Sequence, residues 1–135
     1  MTTRASTGLI ALVFGLSAGT AEAQSPPPIP AGQPAIAVID TAGLAPPGTV
    51  RVGGRYAMDA GYTLVHIKVY VYYFDRYQQS VGSETLTATT SGGVSYVAQS
   101  NFPPPNQAYG AKAKVEITVF DGTVSTTYGR WYNND

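Results

Sequence analysis

The chain has a single histidine, His66, and no cysteine in 135 residues. Missing cysteine removes thiolate nucleophiles, thiolate metal sites and disulfides together. His66 stands between Val65 and Ile67 in an alternating apolar and polar run. It therefore reads as a pairing residue on the solvent side of a strand, not as a general base. The carboxylates beyond residue 23, Asp40, Asp59, Asp75, Glu84, Glu116, Asp121 and Asp135, are scattered along the chain. Glycoside hydrolysis needs two carboxylates facing across a cleft, and no two of these lie close in sequence. No nucleophile elbow, phosphate loop or zinc-protease motif occurs. Asp59 and Asp121 are candidates for part of a calcium site, because their loops would share one end of a sandwich. Each is also accounted for as a turn former. The expectation is a protein that is not an enzyme and uses no cofactor.

Aromatic and basic residues form the more informative set. His66, Lys68, Tyr70 and Tyr72 alternate along one strand, Lys112 and Lys114 along another, and Trp131 stands on a third. If these strands share a sheet, all seven residues lie on its outer surface. Aromatic rings stack on sugars or anchor protein interfaces with large, low-entropy area, and lysine adds cation–π contacts. The same residues also fit plain cross-strand pairing that stiffens an exposed sheet. Protein contact, glycan contact and stiffening all remain open at this point.

Strands must position these residues, and the composition suits strands. Ten tyrosines, fifteen glycines and ten prolines accompany many Val and Thr residues, the vocabulary of strands joined by tight turns. Charged residues make up 12% and balance to zero net charge. No strong field exists to draw nucleic acid.

Residues 1–23 read as a cleaved secretory signal. Arg4 gives the positive region, residues 8–16 (GLIALVFGL) the apolar region, and Ala21-Glu22-Ala23 the cleavage site. The apolar run is far shorter than the roughly 20 residues that span a bilayer. No integral membrane segment is expected after cleavage, and no cysteine follows the run to carry a lipid. Residues 24–34 are proline-rich and read as a disordered or polyproline-like tail. Residues 35–135 are the folded domain. An exported domain without disulfides suits a bacterial periplasm or cell exterior.

Period-two alternation predicts seven strands, over 35–40, 49–58, 62–74, 85–90, 93–99, 111–120 and 123–132. In the third, Val65, Ile67, Val69, Val71 and Tyr73 take the inner face. In the sixth, Ala111, Ala113, Val115, Ile117 and Val119 do. Asp121-Gly122 is read as the two central residues of a type I′ hairpin. That register sets Val119 against Val124, Val115 against Tyr128 and Lys112 against Trp131. Val124, Thr126 and Tyr128 then point inward and Trp131 outward. The expected fold is an all-β, antiparallel, seven-stranded sandwich, with a closed barrel as the alternative.

Phe102-Pro103, followed by Tyr109-x-Ala111-x-Ala113-x-Val115, resembles the tyrosine corner of fibronectin type III and other immunoglobulin-like domains. The resemblance implies an immunoglobulin-like sandwich in which the Tyr109 ring caps the core and its hydroxyl ties back to nearby backbone. The chain departs from the fibronectin pattern in lacking tryptophan on the second strand. Domains of this kind serve as binding, spacer or assembly modules. The expected function is a secreted module that binds protein or assembles with itself. The alternatives are a carbohydrate-binding module and an enzyme inhibitor presenting the rigid loop 101–107.

Overall fold

The computed structural model describes residues 9–11, 24–46 and 48–133, and all its regular structure there is β. In chain order the strands are β1 Leu9–Ala11, β2 Ala35–Ala45, β3 Thr49–Met58, β4 Thr63–Phe74, β5 Ser80–Thr87, β6 Thr89–Ser91, β7 Ser95–Gln99, β8 Gly110–Phe120 and β9 Ser125–Trp131. The rest of the leader expected over 1–23 lies outside the described residues. Two antiparallel sheets form a sandwich. One runs β2-β3-β7-β6; the other runs β5-β4-β8, with β9 on the far side of β8 and β1 beyond the end of β9.

Alternation explains the core. Val50, Val52 and Tyr56 of β3 meet Ile67, Val69, Val71 and Tyr73 of β4 and Ala111, Ala113, Val115, Ile117 and Val119 of β8, all buried. Each large aliphatic side chain so placed contributes about 1.5–3 kcal/mol. Alanines at Ala35, Ala37, Ala111 and Ala113 are fully or nearly fully buried, and their small size lets β2 come close over β8 and β9.

The domain has eight strands, not seven, because the expected strand over 85–90 is two. Ser80–Thr87 pairs with β4, and the Ala88 N–H makes the last bond to that strand, donating to the Ile67 carbonyl at 2.9 Å. Thr89–Ser91 then pairs with β7 in the opposite sheet. The first strand also runs on to Ala45, because a bulge between Ile39 and Thr41 absorbs Asp40 and pairing resumes.

Four expected side-chain placements fail for local reasons, those of Val65, Val124, Thr126 and Tyr109. Val65 is 48% exposed, because a bulge between Leu64 and His66 takes it out of the alternation. The β8–β9 hairpin is offset by two residues from its expected register: Val119 pairs with Thr126, Ile117 with Tyr128 and Lys114 with Trp131. Gly122 has φ +100° while Asp121 is not in the positive-φ region, so the turn centres on Gly122-Thr123, with the single positive φ of a II′ turn. Val124 then falls at the hairpin tip, 54% exposed, and Thr126 is exposed near the strand's end. An offset of two keeps parity, so Tyr128 still packs on the core and Trp131 still faces out. Tyr109 stands just before β8 with its ring 68% exposed, so it does not cap the core.

Residues 24–34 fold back beside β2. The Gln33 N–H donates to the Pro30 carbonyl at 3.2 Å in a turn through Gly32, whose φ is +84°. Pro27 is buried, and Pro30 lies between β2 residues Ile36 and Ala37 and β9 residues Tyr128 to Arg130. The segment thus lies along the seam where the two sheets' edges meet. Prolines suit that place because they offer no N–H to template further pairing.

Candidate aromatic and basic face

The seven residues singled out from the sequence stand on one face of the β5-β4-β8-β9 sheet. Tyr70 pairs with Lys114, Tyr72 with Lys112, and His66 with Thr118. Lys68 pairs with Glu116, and Lys114 pairs in turn with Trp131. All seven are half-buried. The Tyr72 and Trp131 ring centroids are 5.7 Å apart, tilted by 43°. Lys112 Nζ lies 5.4 Å from the centre of the Trp131 ring and 5.4 Å from that of Phe74. Lys114 Nζ lies 5.8 Å from the Trp131 ring and 3.4 Å from Glu116 Oε2. Such cation–π contacts at half-exposed sites contribute about 0.5–1 kcal/mol each.

Gly129 makes this arrangement possible. It pairs with Glu116, and a Cβ there would stand 2.7 Å from Lys114 Cε. The bare backbone lets Lys114 lie across β9 toward both Glu116 and Trp131. Glu116 also raises the Tyr70 hydroxyl above its ordinary pKa, first by hydrogen bonding and then with help from burial. Lys114 thus joins Glu116 to Trp131 across this face. Sequence reading missed Phe74, although its alternation with Tyr72 and Tyr70 carried the signal, and it missed Glu116 and Gly129, whose roles depend on register.

No family model, curated protein or solved structure matches the chain. The arrangement of its side chains is the guide to what the molecule does.

Two other polar clusters were not legible in the sequence. Arg55 grips Asp40 with two bonds, Nε to Oδ2 at 2.7 Å and Nη2 to Oδ1 at 3.0 Å, and its Nη1 donates to the Ser25 carbonyl at 3.1 Å. The bulge that displaces Asp40 brings the pair together, and it fastens the proline-rich segment. At the other side, buried Ser100 donates toward Glu84, 2.7 Å from either carboxylate oxygen, and its Oγ accepts from the Phe102 N–H at 3.0 Å. This pins the start of the 101–107 loop to β5. The Tyr73 hydroxyl is buried nearby without a hydrogen-bond partner. Burial pushes its pKa up to about 12, with Glu84, close but not bonded in good geometry, adding to the rise.

Asp59 and Asp121 sit in the turns after β3 and β8, at the same end of the sandwich. Asp121 Oδ1 accepts from the Thr123 N–H, the Thr123 hydroxyl and the Val124 N–H at 2.7–2.9 Å. These bonds hold its carboxyl below the ordinary aspartate range, the Val124 amide most of all. Turn formation thus accounts for Asp121. Among the described residues no three His, Asp or Glu side chains converge as a metal site, and no helix is long and apolar enough to cross a membrane.

Proposed function

We propose that this chain is an exported, non-catalytic binding module of immunoglobulin-like architecture, whose aromatic and basic face contacts protein. The immunoglobulin-like reading is supported by strand order. With β2 to β9 taken as A, B, C, C′, D, E, F and G, the sheets are A-B-E-D and G-F-C-C′. Export is supported by the leader sequence, and the absence of cysteine fits a domain that holds by its core alone. The partner is a second copy of this chain or another exported protein.

One observation carries the choice of protein: both lysine ammoniums lie over the Trp131 ring, with Tyr72 tilted against it. A sugar-binding tryptophan offers a bare ring face for flat stacking. Here the ring is dressed with cations, as suits an interface that pairs an aromatic anchor with acidic or carbonyl groups. A photo-crosslinking residue placed at Tyr70 in the producing cell tests the reading. It should capture protein, and capture should fall at least about tenfold when Tyr72 and Trp131 are both replaced by Ala. The same crosslinker at Arg51, exposed on the opposite sheet, should capture none. Capture of polysaccharide, or equal yields at both positions, would replace this account with the glycan or stiffening readings.

A further inference from the structure

Beyond Lys114, β8 runs on without β9 beside it. β9 ends at Trp131, opposite Lys114, and the Tyr132 N–H donates to the Ala113 carbonyl at 2.9 Å. Backbone N–H and C=O groups alternate sides along a strand. Ala111 therefore turns both of its groups to the same side as Ala113, past the point β9 reaches. Leu9–Ala11 takes that place, antiparallel, pairing Leu9 with Lys112, Ile10 with Ala111 and Ala11 with Gly110. With that segment seated, Ala111 is fully buried. Once the segment leaves, the same backbone groups are an unpaired edge that offers pairing to another strand.

We propose that the Gly110–Lys112 edge of β8 is a strand-accepting site whose ligand is an extended, uncharged, apolar peptide segment of another chain. That segment takes the position Leu9–Ala11 holds here. The seated segment spans three residues, Leu-Ile-Ala, and reaches the domain only through residues 12–23. It is held by the backbone pairing centred on Ile10 and Ala111, so an equivalent strand can replace it. Cleavage after Ala23, as the leader sequence predicts, vacates the site. Backbone pairing of this kind supplies affinity with little demand on side-chain identity.

Two further features favour such a ligand. The same end of the sandwich carries the large exposed aromatics Tyr77, Phe102 and Tyr109, at 76%, 68% and 68% exposure. Tyr109 immediately precedes Gly110, and its N–H donates to the Phe74 carbonyl at 2.7 Å, which fixes it beside the site. Exposed aromatic surface next to an open edge suits an apolar chain running past it. The remaining edges are guarded. The proline-rich segment lies along β2, β6 has three residues, and β5 carries a bulge and Gly82 at φ +150°. These are the usual devices against unwanted pairing; Gly110–Lys112 carries no proline and no bulge, and Lys112 is its one charged guard. This inference stands apart from the aromatic face and does not depend on it.

The cysteine-free chain allows a direct test. The full-length chain carries Ile10→Pro, which removes the central N–H and releases the cis segment, together with Lys112→Cys. It is mixed with a peptide copying residues 7–15 that bears Leu9→Cys, under mild oxidation. The mixed disulfide should form at least about tenfold faster than with Lys68→Cys in place of Lys112→Cys, since Lys68 lies on β4 between two paired strands. N-methylation of the peptide at Ile10 should slow it by about tenfold, through loss of one backbone bond. Equal rates at 112 and 68, indifference to N-methylation, or no mixed disulfide would each overturn the proposal. Should the Ile10→Pro chain fail to fold, two full-length chains serve instead, one with Leu9→Cys and one with Lys112→Cys. Intermolecular disulfide between them supports strand exchange, and its absence counts against it.

Discussion

Tyr96 shows how one residue organises a sheet. From β7 its hydroxyl reaches across β3 and donates to the Val38 carbonyl of β2 at 2.9 Å. Gly54 leaves the path open, since a Cβ there would collide with the Val38 carbonyl and the Tyr96 hydroxyl. Tyr96→Phe should cost about 1 kcal/mol by leaving a half-buried carbonyl without its donor. Gly54→Ala should cost about 3 kcal/mol, because backbone cannot move aside. Urea unfolding of both variants measures this, and wild-type midpoints would contradict it. Tyr96 is buried, which raises its pKa strongly, and Tyr73 is pushed up to about 12. For Tyr73 the folded value lies above the ordinary 10, so the fold favours the neutral phenol. Its stabilisation is complete below about pH 10 and is lost as pH rises through about 12. An ultraviolet phenolate titration should therefore show Tyr73 and Tyr96 ionising only as circular dichroism reports unfolding. Full ionisation of all ten tyrosines with the strands intact would refute that. None of this was visible in the sequence, where Tyr96 is one more aromatic strand residue and its partner lies 58 positions away.

Elements differed in how plainly the sequence announced them. β8 was legible because every inward position from Ala111 to Val119 is apolar and the strand is flanked on both sides. β5 was not, because an edge strand needs few buried residues, and Leu86 is its one fully sequestered aliphatic side chain. The hairpin's parity was legible but its register was not, because the Asp121 carboxylate closes the turn one residue later than a two-residue Asp-Gly loop would. Its depressed pKa means the bonds to Thr123 and Val124 persist at neutral pH. They weaken only as pH falls through a value below the usual aspartate range. Amide resonances of Thr123 and Val124 should titrate with that low midpoint and lose the transition in Asp121→Ala. A midpoint at or above about 3.9 would contradict the geometry. On β9, Gly129→Ala should leave stability nearly unchanged, because the clash falls on the flexible Lys114 tip. It should still shift Trp131 fluorescence by lifting that lysine from the ring. An unchanged emission spectrum would show that Lys114 does not rest there in solution.

At the scale of the molecule, two sheets close on an aliphatic core, a proline-rich strap lies along one seam, and one sheet face is left aromatic and cationic. The strap depends on Arg55, whose guanidinium joins Asp40 to the Ser25 carbonyl. Arg55→Ala should change global stability by less than about 1 kcal/mol, as for other half-exposed pairs, yet speed proteolysis near Ser25; unchanged cleavage would detach the strap from that contact. The layer architecture was readable from alternation because burial on one side imposes period two. The face was readable because its outward residues inherit the same period. What brings those residues together on one face is register across three strands, which no local pattern encodes. The most direct test replaces Lys112 and Lys114 by Glu, leaving the aromatics in place, and measures photo-crosslinking from position 70 beside the thermal midpoint. The account predicts a midpoint within a few degrees of the parent and a loss of most captured protein. Capture that persists at the parent level in a folded chain would contradict it.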